Sequence, residues 1–171
     1  MSTVIERIGR YASALSWEDL PDAVIGYAKR ILLDSLACAY GGLDSEPARL
    51  VRETLSELGG SGQATVFGRD VKTGVSAAAL ANGVAIRYQD YNDVYFGPAW
   101  TAHPSDTLAA LCAVAEWRDR SGKDLLTAMV AAVSTVSLAL TGLVVVGGAA
   151  PASAAGVCAT PGGSGAGGTL T

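Results

Sequence analysis

The chain contains few of the residues from which metal sites and disulfide frameworks are built. Its 171 residues include one histidine and three cysteines, Cys38, Cys112 and Cys158. Because these cysteines are widely spaced and form no C-x-x-C motif, the sequence predicts neither a disulfide framework nor a zinc site. Three reduced thiols in a cytoplasmic protein are the simplest interpretation.

Clusters of basic residues and a secretion signal are also missing. The net charge is −4 and no run of lysine or arginine occurs, which argues against a nucleic-acid partner. The N-terminal residues carry Glu6 before any apolar run, so no signal peptide is predicted. We therefore expect a cytoplasmic protein that binds no nucleic acid.

Half of the residues are hydrophobic and only 6% are aromatic, and most apolar residues recur at helical spacing. Polar residues, prolines and glycine pairs separate these segments. The pattern predicts helices over residues 4–15, 21–40, 46–58, 75–88 and 104–117, and a further helix that begins near Lys123. The β-branched run from Ala64 to Phe67 predicts one small strand or extended crossing. The predicted fold class is all-α, a helical array with at most one short strand or hairpin.

The stretch from Asn82 to Pro104 interrupts this helical pattern with aromatic and acidic residues, and it holds the single histidine of the chain. Loops that interrupt a helical scaffold commonly carry chemistry. The candidate acid–base residues in this stretch are His103, Asp90, Asp93 and Tyr95. The residues alone also allow a purely structural interpretation, in which the histidine caps or packs at a helix start and the aspartates are solvated turn residues.

The last part of the chain loses its charge, because no Asp, Glu, Lys or Arg follows Asp124. Residues 141–171 are rich in glycine, alanine and serine and have no helical period, which predicts a disordered low-complexity tail. Three explanations of this ending stay open. The uncharged span from Ala128 to Ala150 is a membrane anchor, or it is a core helix of a larger protein, or the reading frame shifts shortly after Ala132 and the tail is an out-of-frame translation.

Several segments occur in the order known from one protein family. The succession SAAALANGVAIRYQDYND, AHPSDTLAALCAVAE and SGKDLLTAMVAA resembles the N-terminal helical region of the MmgE/PrpD family, which includes 2-methylcitrate dehydratase, cis-aconitate decarboxylase and iminodisuccinate epimerase. ILLDSLACAYGG and ATVFG fall where that family has similar segments. The resemblance covers about Val4 to Ala132, and with it we predict a partial N-terminal helical domain over residues 4–140, followed by the tail.

The resemblance implies a lyase or isomerase of the 2-methylcitrate dehydratase type, with a role in propionate catabolism. Its substrate would be a small di- or tricarboxylic acid, transformed by acid–base chemistry without a metal or an organic cofactor. The family also implies a homodimer at full length, and we expect no membrane partner. Because family members are several times longer and supply further lysines and histidines from later parts of their sequences, we expect this chain to be inactive by itself.

The family motif assigns catalytic roles to three residues of this chain. In the motif an aspartate opens a D-x-D-D-T-like stretch, and a His-Pro pair follows about ten residues later. Asp90 corresponds to the first aspartate, Asp93 to the last acid and His103 to the histidine. The sequence departs from the motif at three positions: Asn92 replaces an acid, Val94 replaces threonine, and Arg87 stands where histidine is often found.

The chemistry of dehydration fits these residue types. Removal of water from a β-hydroxy acid needs one group that takes a proton next to a carboxylate and another that protonates the departing hydroxyl. Neighbouring histidine and aspartate side chains can supply both. Two other classes of function stay open, namely a helical interaction module that uses exposed apolar faces and a helical protein anchored in a membrane by its C-terminal part.

Overall fold

The computed structural model describes residues 2–58, 60–96 and 101–141. Within these ranges the chain forms six α-helices and two short antiparallel strand pairs. The helices are α1 (Val4–Ala14), α2 (Asp22–Gly42), α3 (Glu46–Leu58), α4 (Val75–Arg87), α5 (Leu108–Trp117) and α6 (Gly122–Thr141). The strand pairs are β1 (Ala64–Thr65) with β2 (Lys72–Thr73), and β3 (Tyr95–Phe96) with β4 (Thr101–Ala102). The predicted all-α fold class is confirmed.

The helix ends follow local sequence signals. At the start of α1 the Thr3 hydroxyl accepts the Glu6 N–H, and the Glu6 carboxylate accepts the Thr3 N–H, so both backbone donors are satisfied. Pro21 directly precedes α2, where its lack of an N–H costs no helical hydrogen bond. At its other end α2 continues through the predicted glycine stop and ends at Gly42.

Helix α4 lies at the centre of the fold and packs against α2, α3 and α5. Three of its five buried residues are alanines, Ala78, Ala81 and Ala85, whose small side chains let the neighbouring helices approach closely. Gly42 of α2 lies directly against the carbonyl oxygen of Ala85 in α4. A second apolar cluster joins α2, α5 and α6 and contains Leu20, Val24, Ala28, Leu108, Leu126, Met129 and Val130. The connection from α4 to α5 is therefore anchored at both ends by packed helices.

The β1–β2 hairpin is held against α4 by the side chain of Asn82, which is 1% exposed. Its Oδ1 accepts the Phe67 N–H at 2.8 Å, and its Nδ2 donates to the Thr65 carbonyl at 3.0 Å. The amide thus satisfies two backbone groups that would otherwise be buried without partners. The strand predicted from Ala64 is confirmed as β1.

The β3–β4 pair lies in the connection after α4, and it is a second hairpin where the sequence prediction allowed at most one. Tyr95 pairs with Ala102, and Phe96 pairs with Thr101. Strands of two residues are too short to show the alternation of apolar and polar residues by which strands are recognised. The pairing matters for the site, because it brings residues 93 and 103 to the same end of the hairpin.

The predictions for the end of the chain fall partly beyond the described ranges. Among the described helices, none has the length and apolar character that crossing a membrane requires. Helix α6 includes the first part of the span that the sequence analysis considered as an anchor. The remainder of that span and the tail over residues 142–171 lie outside the described residues.

Candidate active site

The connection between α4 and α5 places His103 beside Asp93. The Nδ1 atom of His103 lies 2.7 Å from the backbone carbonyl oxygen of Asp93. Because a carbonyl oxygen only accepts hydrogen bonds, Nδ1 carries the proton, and in the neutral ring Nε2 holds the lone pair. The hydrogen bond therefore orients the imidazole and leaves Nε2 as the nitrogen suited to take a proton.

The carboxyl group of Asp93 is partly withdrawn from water. Its Oδ1 and Oδ2 atoms lie 3.3 and 3.2 Å from the backbone N–H of Ser105. Burial raises the pKa of the Asp93 carboxyl, while hydrogen bonds from the side chain and backbone of Ser105 act in the opposite direction. The charge of Asp34 adds to the increase and that of His103 reduces it. Asp93 therefore retains a proton more readily than an ordinary aspartate, which suits a general acid.

Asp93 borders a cavity of about 70 Å³ whose lining is mostly apolar. The cavity lies between α2, α6, the start of α5 and the 3₁₀ turn Pro104–Thr107. Its apolar lining includes Val24, Ala28, Ile31, Leu108, Met129 and Val130. Pockets for small molecules usually measure about 300–1,000 Å³. At about 70 Å³ this cavity is smaller than such pockets.

The structure does not bring Asp90 to the other two predicted residues. Asp90 has a φ of 53°, in the left-handed region that few non-glycine residues adopt. Its carboxylate pairs with Nη2 of Arg87 at 2.8 Å, and 70% of its side chain is exposed. Tyr95, by contrast, borders the same cavity as Asp93. In the described structure Asp90 therefore binds Arg87 and does not orient the imidazole.

Two buried polar residues beside Asp93 were missed by the sequence reasoning. Asn92 is 6% exposed and Ser105 is 1% exposed. Asn92 accepts a hydrogen bond from Nη1 of Arg87 at 2.7 Å and donates one to the hydroxyl oxygen of Ser105. The available signal was that Asn92 and Arg87 are both departures from the family motif. Their contact with Ser105 depends on tertiary packing, which no local pattern reveals.

The described part of the chain shows neither a cluster of metal ligands nor an activated thiol at the site. Within that part, no three His, Cys, Asp or Glu side chains stand close enough together to hold a metal ion. Cys38 of α2 is 2% exposed, and burial raises the pKa of its thiol, with further increases from the charges of Asp34 and Asp93. A buried thiol in this form is poorly suited to act as a nucleophile.

A family model described as the MmgE/PrpD N-terminal domain matches residues 6–161 of the chain. The chain belongs to the MmgE/PrpD family. The resemblance inferred from the motifs is thereby confirmed. The range matched by the MmgE/PrpD model includes the whole connection that carries Asp93 and His103.

Curated relatives of this MmgE/PrpD chain include dehydratases and decarboxylases. The chain is 33% identical to mitochondrial 2-methylcitrate dehydratase of Yarrowia lipolytica over 97 residues. These residues are 56% of the chain and 18% of the relative. It is 32% identical to cis-aconitate decarboxylase of Homo sapiens over 134 residues, and this alignment covers 75% of the chain and 27% of the relative. It is also 32% identical to 2-methylcitrate dehydratase of Cupriavidus necator over 96 residues, which make up 55% of the chain and 19% of the relative. The matches thus span between 18% and 27% of these three relatives.

Proposed function

We propose that this chain supplies the acid–base pair of a carbon–oxygen lyase that acts on a small di- or tricarboxylic acid. The observation that carries the proposal is the hydrogen bond from His103 Nδ1 to the Asp93 carbonyl. It orients the imidazole next to a carboxyl group whose pKa is raised by burial. Membership of the MmgE/PrpD family, with relatives named as dehydratases of 2-methylcitrate, supports the same reaction class.

The proposed dehydration couples two proton transfers to the cleavage of a C–O bond, whose electron pair leaves with the hydroxyl oxygen. Nε2 of His103 takes the proton from the carbon next to a substrate carboxylate, and the carboxyl of Asp93 gives its proton to the hydroxyl that departs from the adjacent carbon. The electron pair of the broken C–H bond forms the new C=C bond, and the products are an unsaturated acid and water. Exchange with solvent then returns one proton to Asp93 and removes one from His103. No metal or organic cofactor takes part in this scheme.

The 171-residue chain is proposed to be inactive by itself. A polyanionic substrate needs cationic groups around its carboxylates. Arg87 is the cation nearest the site in the described hydrogen-bond network, and it already pairs with the carboxylates of Asp90 and Asp106. The cavity beside Asp93 is also smaller than the usual pocket for a small molecule. The missing contacts would have to come from residues beyond those described.

Two measurements on the purified chain test these proposals. In NMR titrations with 2-methylcitrate, we expect weak binding that shifts the ring signals of His103 and the carboxyl signal of Asp93, with no detectable turnover. A D93N variant is the matched control and should lose most of the shift at His103. Shifts confined to residues far from the connection would overturn the site. Enzyme-like dehydration by the 171-residue chain would overturn its proposed inactivity.

The resemblance also leads us to propose that the full-length protein is a cytoplasmic homodimer with a role in propionate catabolism. Exposed apolar side chains support an interface, since Leu33 and Tyr40 lie seven residues apart on α2 and are 69% and 63% exposed. Light scattering of the full-length protein tests the dimer. A monodisperse monomer at micromolar concentration would contradict it.

A further inference from the structure

A row of buried and partly buried hydrogen bonds leads from the end of α4 to the carboxyl group of Asp93. Nη1 of Arg87 donates to Oδ1 of Asn92 at 2.7 Å. Nδ2 of Asn92 donates to the hydroxyl oxygen of Ser105. The backbone N–H of Ser105 in turn donates to both carboxyl oxygens of Asp93, at 3.3 and 3.2 Å, and the Ser105 side chain lies close enough to lower the pKa of that carboxyl. Asn92 and Ser105 are 6% and 1% exposed, so water does not compete strongly for these groups.

The direction of each bond in this row is fixed by the chemistry of its members. A guanidinium group only donates, so the amide oxygen of Asn92 faces Arg87 and the amide NH2 faces Ser105. The Ser105 oxygen therefore accepts from Asn92. The single hydroxyl proton of Ser105 remains available for Asp93, and the backbone N–H of Ser105 points to the same carboxyl. The two side-chain hydrogen bonds of the row and the backbone N–H of Ser105 thus all donate in the direction of Asp93.

We propose that Arg87, Asn92 and Ser105 are positioning residues that support the ionised form of the Asp93 carboxyl once it has given up its proton. The inference rests on the proposed acid–base function of Asp93. Ionisation beside a mostly apolar cavity is costly because the apolar lining solvates the charge poorly. The directed donors replace part of that solvation and keep the proton transferable despite burial.

Other charged and titratable groups act on the same carboxyl or on the donors. Around Asp93 they are Asp34 and Cys38 from α2, and His103, and on Arg87 they are Asp90 and Asp106. Two of them have opposite effects on the Asp93 charge, because the carboxylate of Asp34 disfavours it and His103 favours it. A test must therefore separate loss of a donor from a change in charge.

The test is a pH titration of the Asp93 carboxyl carbon by 13C NMR in the 171-residue protein, with the signal assigned by its loss in D93N. In N92D the new carboxylate would accept the Ser105 proton and add a like charge, so we expect the titration midpoint of Asp93 to rise by about one pH unit. In S105A the hydroxyl donor is lost without any change in charge, and we expect a rise of similar size. S105C, which keeps a side chain of similar size but a weak donor, replaces S105A if that variant does not fold.

The matched control is D106N, which removes an ion pair of Arg87 but no bond in the row. Loss of that negative charge should leave the Asp93 midpoint unchanged or lower it. The proposal is overturned if N92D raises the Asp93 midpoint while S105A and S105C leave it unchanged, because the added charge alone then explains the rise. It is also overturned if none of the three variants raises the midpoint. Since these titrations need no turnover, they separate the proposal from the enzymatic function. A full-length enzyme that keeps its activity in D93N would refute only the latter.

Discussion

Glu116 in α5 accepts hydrogen bonds from both the backbone N–H and the hydroxyl of Thr65, 51 residues earlier in the chain, at 2.6 and 2.7 Å. The same carboxylate pairs with Nζ of Lys72 at 2.7 Å. Because Thr65 belongs to β1 and Lys72 to β2, one side chain binds both strands of the hairpin to α5. Burial alone would raise the pKa of Glu116, but the hydrogen bonds from Lys72 and Thr65 outweigh it and lower the pKa to about 2.

This arrangement predicts a pH-dependent loss of stability in E116Q. At pH 7 the variant should unfold with a free energy lower by about 1 kcal/mol, because a neutral amide cannot replace the charged acceptor. Because the pKa of Glu116 is lower in the folded than in the unfolded chain, its carboxylate stabilises the fold at pH values above the ordinary pKa of 4.5. This contribution disappears as the pH falls towards about 2. Urea unfolding between pH 7 and pH 3 measures the difference. A difference in unfolding free energy between E116Q and the unsubstituted chain that stays constant over this pH range would contradict the prediction.

The packing of α2 on α4 predicts opposite effects for two glycines of the same helix. A Cβ atom at Gly42 would overlap the carbonyl oxygen of Ala85, which is backbone and cannot move aside. G42A should therefore lower the free energy of unfolding by about 1–3 kcal/mol. At Gly26 nothing lies within 4 Å of the added atom, so G26A should raise it by about 0.5–1 kcal/mol through helix propensity. Thermal unfolding of both variants measures the two changes. Equal changes in the free energy of unfolding would contradict the close contact between Gly42 and the Ala85 carbonyl oxygen.

The partly buried carboxyl of Asp93 predicts a conflict between stability and the proposed acid–base function. Its raised pKa means that the charged form is less favourable in the folded than in the unfolded chain. D93N should therefore be more stable than the natural chain at pH 7, and this advantage should vanish as the pH falls below the ordinary aspartate value of 3.8, where the acid is protonated in both states.

Urea unfolding across this pH range measures the effect. The control is D70N at an exposed aspartate, for which we expect no comparable gain. A D93N protein that is less stable than the natural chain at pH 7 would show that the carboxylate is favourably held in the fold.

The hydrogen bond from His103 to the Asp93 carbonyl predicts one tautomer of the imidazole. Long-range 1H–15N correlations should show the neutral ring protonated at Nδ1, and the signal needs no assignment because the chain has one histidine. A ring protonated at Nε2 would refute the geometry.

Two substitutions test what the bond contributes to stability. The amide of H103N can still donate from a position like that of Nδ1, so this variant should unfold like the natural chain. H103A loses the donor and should be less stable by about 1 kcal/mol. Equal unfolding free energies of the two variants would contradict a stabilising role for this bond.

The helices could be predicted because their ends are marked locally. Residues 46–58 were predicted as a helix and form α3 with the same bounds, since a proline opens the segment and glycines follow it. The β3–β4 hairpin could not be predicted, because strands of two residues carry no periodic pattern. The break in the helical pattern marked Asp93 and His103 as candidates, and the family resemblance then assigned them catalytic roles.

The burial of Asn92 and Ser105 could not be read from the sequence either. Both are small polar residues in a loop, where such residues are usually solvated. They are buried because α4 and α5 pack together and close the loop between them. Which of two aspartates three residues apart lies beside the histidine depends on the same packing, and the resemblance treated Asp90 and Asp93 alike.

Asp93, His103 and the row of donors all lie at the end of α4 or on the connection that follows it, whereas the apolar contacts that hold the scaffold together lie mainly in the helices. The proposed site and the apolar scaffold are therefore encoded in largely separate parts of the sequence. Under the proposed function, this connection is the first place to mutate in a directed-evolution experiment that seeks a different reaction on the same helices.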